Sequence, residues 1–166
     1  MERKDVPKKV DWFNDPELLH VLNADYPISE VGTNQWLDRV ALDPSRRDLV
    51  ITVVPEKKVI GYIGLTDIDW RHQKANSYIG IGKTKHRGRG HGWHAQRALH
   101  AYAFDALNLN RVYAYVWEEN TPMLGLMKKL GYKVEGVLVQ DVWAHGGYRN
   151  KVLLALLRDE YRRQRA

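Results

Sequence analysis

The chain contains no cysteine. Disulfide bridges, thiolate nucleophiles and cysteine-ligated zinc are therefore excluded, and the composition fits a reducing cytoplasm. No apolar run approaches the roughly 20 residues that span a bilayer. The start, Met1-Glu2-Arg3-Lys4-Asp5, has no hydrophobic stretch of the secretory kind. No membrane partner is expected. Two phosphate-binding signatures are also missing. The dinucleotide fingerprint needs Gly-x-Gly-x-x-Gly, but counting from Gly88 or Gly90 puts Trp93 or Ala95 at the third glycine. The nucleotide-triphosphate loop needs Gly-Lys-Ser/Thr at its end, and the glycine-rich stretch ending at Gly92 runs into Trp93 instead.

What the chain does have is His86-Arg87-Gly88-Arg89-Gly90-His91-Gly92-Trp93, between the apolar run Ser77–Gly82 and a helical pattern. A strand entering a basic, glycine-rich turn and then a helix suits phosphate binding. Glycine lets backbone N–H groups turn inward, the helix N-terminus adds positive potential, and arginine forks onto phosphate oxygens. The formal charge is +6, with part of the excess in Arg158, Arg162, Arg163 and Arg165. No basic–aromatic recognition motif accompanies it, so an anionic cofactor is expected and nucleic acid is not.

In chain order, Asn14-Asp15-Pro16-Glu17 starts a helix that runs from Pro16 to about Asn23. A second helix fits Thr33 to Ala41 and closes at Asp43-Pro44. Leu49 to Pro55 and Lys58 to Asp67 read as a β-hairpin, and Ala75 to Lys83 as a third strand. The helix from Gly92 to about Asn108 carries Ala95, Leu99, Tyr102 and Ala106 on one face. Arg111 to Trp117 alternates, with Val112, Ala114 and Val116 opposite Tyr113, Tyr115 and Trp117. Thr121-Pro122 opens a helix stopped by Gly131. Tyr132 to Val139 and Lys151 to Leu157 are the last strands, separated by a loop over Asp141–Gly147.

The spacing Arg87-x-x-Gly90-x-Gly92 resembles the diphosphate loop of the GNAT superfamily of acyl-coenzyme A transferases. Two further segments agree in order: the strand leading to Asn120, and Met123 to Gly136 with Leu130-Gly131-Tyr132. Trp12-Phe13-Asn14-Asp15-Pro16-Glu17 looks like the branch that acetylates ribosomal-protein N-termini, polyamines and sugar-nucleotide amines. The resemblance implies one α/β domain over residues 1–166, with a mixed, mostly antiparallel central sheet flanked by about four helices. It further implies that Gly80, Ile81 and Gly82 pair with the pantetheine arm of acetyl-CoA. Arg87, Gly88, Arg89, Gly90, His91, Gly92 and Trp93 would hold the diphosphate, with Asn120 beside pantetheine or sulfur. Lys83, Lys85, Lys128 and Lys129 are nearby cations.

The implied reaction is acetyl transfer to a primary amine. With a pKa near 10, only about one amine in a thousand is neutral at pH 7, so a proton must be removed. The amine must be held about 3 Å from the thioester carbon, and the oxyanion needs a preset donor. A backbone N–H of the Gly80–Gly82 strand is the natural one. Three positions depart from much of the family: Met127 where a proton-donating tyrosine is common, Met123 where a serine occurs, and Tyr115 where a strand carboxylate is sometimes found. The acid and base therefore do not carry over, and thiolate is expected to leave unaided. Asp67 is the first candidate base, with Asp69, Glu30, Glu118 and Tyr115 (through a water) as the others. Glu30, Trp143 and Tyr148 are the candidate substrate contacts.

The related branch begins with a strand, whereas only Met1 to Lys4 precede the matching segment here. Either the first strand is missing or something else pairs with the edge near Leu49–Val54, and that edge is expected to be covered by the N-terminal segment or a second subunit. No metal is expected: His86, His91, His94 and His100 are close in sequence but form no His-Glu-x-x-His pattern. The departures at Met127 and Tyr115 keep a second function in view, a non-catalytic acyl-CoA-binding module.

Overall fold

The computed structural model describes residues 1–19, 27–144 and 146–165. Six strands form one sheet: Arg47–Val53 (β1), Lys58–Asp69 (β2), Lys74–Ile81 (β3), Arg111–Trp117 (β4), Lys133–Ala144 (β5) and Gly147–Leu157 (β6). Their order is β1-β2-β3-β4-β6-β5. Every neighbouring pair is antiparallel except β3 with β4, which run parallel because helix His91–Ala101 (α4) crosses between them. The mixed, mostly antiparallel sheet is the expected one.

One sheet face carries the main core. Val112, Ala114 and Val116 of β4 and Leu154 and Leu156 of β6 pack there with Leu99 of α4. Helix Thr121–Lys129 (α5) adds Met127 to it. The inner face of α4 also carries His100, whose Nε2 lies 2.9 Å from the Tyr132 hydroxyl; that hydroxyl is 3.4 Å from Ser77 Oγ, which donates to the Tyr113 carbonyl at 3.3 Å. A polar thread thus runs through the apolar layer to β3 and β4.

The other face is covered by helices Val6–Phe13 (α1) and Glu30–Val40 (α3). Trp12, Phe13, Tyr62 and Tyr78 meet there, with ring centroids 5.3 to 6.4 Å apart. Two glycines are required by this packing, Gly80 in β3 and Gly82 just past its end. A side chain at Gly82 would lie 2.1 Å from the Trp12 indole, and one at Gly80 would lie 2.4 Å from the Tyr62 ring.

Several boundaries differ from those read in the sequence. α1 was not foreseen, nor was the C-terminal helix Arg158–Arg163 (α6), so the helical segments exceed the four or so expected. Helix Pro16–Leu19 (α2) begins where expected; the rest of the proposed Pro16–Asn23 helix lies outside the described residues. α3 begins before Thr33 because Ser29 Oγ accepts the Gly32 N–H at 3.0 Å and caps it there. The stretch expected as a loop, Asp141–Gly147, is instead the end of a long hairpin. A register shift between Leu138 and Val142 is bridged by Asn150, whose Oδ1 accepts the Gln140 N–H at 2.8 Å. No strand precedes β1 in the sheet among the described residues. The Met1 ammonium donates to the Asp48 carbonyl at 2.7 Å, and a groove of about 350 Å³ separates the rest of the β1 edge from α4.

Burial lowers the pKa of His100 from 6.5 to about 4. Between those values the unfolded chain binds more protons at this site than the folded one. The associated stability is complete above about pH 6.5 and is lost as pH falls toward 4, by roughly 3 kcal/mol for a shift of this size. Denaturant titrations from pH 4 to 7 should show that slope, and His100→Gln should flatten it.

Candidate active site

β3 and β4 pair only from Lys74–Asn76 to Arg111–Tyr113, yet β3 continues to Ile81 and β4 to Trp117. Past Tyr113 they part, leaving a slot between Ser77–Ile81 and Ala114–Trp117. Which peptide groups line it follows from strand alternation. Gly82 N–H donates to the Ile60 carbonyl of β2 at 2.9 Å, so the even-numbered groups serve β2 and those of Ile79 and Ile81 face the slot. These are the amides an extended amide-bearing ligand would meet.

The slot leads into the glycine-rich loop. Thr84–His86 forms a short 3-10 turn, and Gly88 and Gly90 take left-handed conformations, with φ of 68° and 80°. A side chain at Gly88 would touch nothing within 4 Å, so backbone conformation and not space demands glycine. Gly90 is the N-cap of α4, and the first-turn N–H groups open beside it. The loop is electropositive. Slight desolvation, then the charges of Lys58, Lys85, His91 and Arg89, lower the pKa of His86. Arg89 is exposed and has no partner among the described residues, whereas Arg87 is half-buried and turns back to the Ile81 carbonyl.

On the far side of the slot stands Asn120. It is the N-cap of α5, and its Oδ1 accepts the Met123 N–H at 3.2 Å. Tyr115 projects from β4 toward the α1–α3 side, is 44% exposed, and stands edge-on to Tyr113 with centroids 5.7 Å apart. The β5–β6 hairpin is tied to the turn before α5. Asn150 Nδ2 donates to Glu118 at 2.8 Å, the Glu118 N–H donates to the Asn150 carbonyl at 3.1 Å, and Arg149 pairs with Glu119 at 3.6 Å. Past that tie, Trp143 and Tyr148 form a cross-strand edge-to-face pair at 5.0 Å, with 60% and 59% of their surface exposed. Lys151 sits between Asp141, at 2.8 Å, and the Tyr115 ring, 6.0 Å away.

The structure thus brings together the β3 glycine segment, the loop, Asn120 and Tyr115, with the aromatic pair beyond the mouth. Asp67 is not brought to them. It lies past Thr66, whose β3 partner is Asn76, at the closed end of the fork. Gly80 is four residues farther along β3, roughly 13 Å away. The bulge that gives Asp67 its φ of 52° turns it outward, where Thr66 Oγ1 donates to it at 3.2 Å. Glu30 is exposed at the start of α3, with no described contact to the slot. Met127 is buried in the core, so its helix position faces away from any thiol. Among the described residues, no three His, Asp or Glu side chains gather as a metal site. Asn150 was missed by sequence reasoning, since nothing in Tyr148-Arg149-Asn150 signals that a bulge will need bridging.

The description "Acetyltransferase (GNAT) domain" belongs to the family model that matches residues 1–133. The chain is 30% identical over 165 residues to "Uncharacterized N-acetyltransferase p20" of Bacillus licheniformis, covering 97% of this chain and 92% of that one. It is 29% identical over 150 residues to the spermidine N(1)-acetyltransferase of Escherichia coli K12, covering 90% and 74%. The solved structure of spermidine N-acetyltransferase from Vibrio cholerae in complex with CoA and spermine superposes with a TM-score of 0.89 at 25% identity, covering 97% and 94%.

Asn120→Asp keeps a capping oxygen and loses the amide donor, whereas Asn120→Ala loses both. Thermal unfolding should therefore find Asn120→Ala destabilised by about 1 kcal/mol and Asn120→Asp near wild type. If the amide N–H meets the coenzyme arm, both variants should show a raised KM for acetyl-CoA in a thiol-release assay.

Proposed function

On the premise that this chain belongs to the GNAT acetyltransferases, we propose that it is an acetyl-CoA-dependent N-acetyltransferase whose acceptor is a small polyamine. The observation that carries the reading is a strand whose outer row of peptide groups is left unpaired by β4, running into an electropositive helix N-terminus. The pantetheine arm lies along Ile79–Ile81 as an added strand, and the diphosphate meets the amides from Gly88 to Trp93 with Arg89. The N–H of Ile79 or Ile81 faces the thioester and stabilises the oxyanion at no cost in reorganisation. Asn120 stands beside the sulfur.

Proton removal from the ammonium falls to Tyr115 through a water, because it is the exposed titratable side chain on the slot-facing part of β4. The thiolate leaves without a dedicated acid. The polyamine assignment is supported by the spermidine N-acetyltransferases among the relatives. Charge and ring placement at the slot mouth support it too: Glu118, bonded to the neutral Asn150 amide, supplies a negative charge, while Glu119 and Asp141 are paired with Arg149 and Lys151. Trp143 and Tyr148 offer exposed ring faces to a distal ammonium through cation–π contact. Acetyl transfer of this kind belongs in the cytoplasm.

Thiol release from acetyl-CoA should be followed with spermidine, an amino sugar and a peptide with a free N-terminus. Spermidine should give the highest kcat/KM, and Trp143→Ala should raise its KM severalfold, as expected for loss of roughly 1 kcal/mol of cation–π contact, leaving KM for acetyl-CoA unchanged. A preference for the peptide would overturn the acceptor assignment. Cofactor-induced stabilisation with no thiol released from acetyl-CoA in the presence of any amine would return the protein to the class of acyl-CoA-binding modules.

A further inference from the structure

Arg87 opens the glycine-rich loop and by spacing is the residue that would be given to the diphosphate. We infer instead that Arg87 is a positioning residue for the coenzyme arm: its guanidinium holds the last slot-facing carbonyl of β3, that of Ile81, and the diphosphate is left to Arg89 and the loop amides. This rests on the acetyl-CoA reading above.

Both Nε and Nη2 of Arg87 donate to the Ile81 carbonyl, at 3.4 and 3.3 Å. Two tight turns bring the side chain back: His86 N–H donates to the Lys83 carbonyl, and Arg87 N–H to that of Thr84, each at 2.9 Å. The guanidinium is then half-buried near the Tyr62 phenol, on whose ionisation its charge acts. Arg89, two residues on, is exposed.

The carbonyl concerned is at a decisive place. Ile81 ends β3, and its C=O points into the slot because Gly82 N–H, of the same peptide, points to β2. On the slot side β4 has already diverged, so that peptide plane is held from one side only, by the Gly82 N–H on the Ile60 carbonyl. With a bond on one side only the carbonyl can tilt, and the row of acceptors presented to an amide-bearing ligand would lose the aim of its last member. Arg87 supplies two donors in a fixed plane. Both donors fall on one oxygen with two lone pairs, at the long distances of 3.4 and 3.3 Å, so the direction of the carbonyl is fixed and a ligand N–H shares the oxygen with the guanidinium. The contact acts on the pantetheine side of the ligand, and its loss has a signature that loss of a phosphate contact does not.

The experiment compares two acyl donors, acetyl-CoA and acetylpantetheine, the latter having the thioester arm and no diphosphate. Wild-type turnover of acetyl-CoA, measured first, tests the acetyltransfer reading by itself. Arg87→Met should raise KM for both donors by a similar factor, about tenfold for a lost charged donor. The amine KM and the melting temperature should be unchanged. Arg87→Gln, which can still donate to Ile81, should recover part of the loss, and Arg89→Met should raise KM for acetyl-CoA alone. Without any ligand, the carbonyl ¹³C shift of Ile81 should move in Arg87→Met and stay in Arg89→Met. The inference is overturned if Arg87→Met weakens acetyl-CoA and spares acetylpantetheine, or if the Ile81 shift does not move. Equal losses toward donors and amine with a lowered melting temperature would also overturn it, marking a merely structural residue.

Discussion

Two parallel strands that stop pairing after three rungs are the constraint on which the rest of this molecule depends. A peptide group in a folded protein must find a partner, and the outward groups of Ile79 and Ile81 find none in β4. The fork is held open by neighbouring parts. α4 and α5 pack beneath it, the His100–Tyr132–Ser77 thread ends at the last rung, and the turn before α5 is fastened to the β5–β6 hairpin through Glu118 and Asn150. The site is an unfinished sheet held rigid by its surroundings, which is a preorganised way to receive a ligand built of amides.

The glycines at the end of β3 show two requirements meeting on the same residues. Close approach of a ligand backbone would justify them, but Tyr62 over Gly80 and Trp12 over Gly82 already do so. The aromatic layer under α1 therefore sets the height of the strand on one side while leaving its edge free on the other. Packing and binding draw on different directions of the same peptide, and neither compromises the other.

Much of this was legible in the sequence, and the failures have physical causes. β4 was read to the residue because Val112, Ala114 and Val116 alternate strictly with Tyr113, Tyr115 and Trp117. The loop was legible because Gly88 and Gly90, alternating with Arg87 and Arg89, suit neither a strand nor a helix interior but do suit a turn at positive φ. α1 was overlooked although Val6, Val10 and Phe13 keep helical spacing and Pro7 sits in the first turn, where proline is favoured. Asp67 looked placed for catalysis because its height along the sheet depends on a bulge that no pattern in β2 announces. Asn150 and Arg87 share one lesson. Sequence shows that a polar group is present but not which way it turns, and in both cases it turns toward the backbone.

β1 ends the sheet with Leu49 to Val53 unpaired on the outer side among the described residues, beside an aliphatic groove under α4. Such a border adheres to any extended chain that presents alternating aliphatic side chains, its own kind included. The fold thus leaves one border of the sheet with hydrogen-bonding capacity to spare, at the end opposite the β5–β6 hairpin.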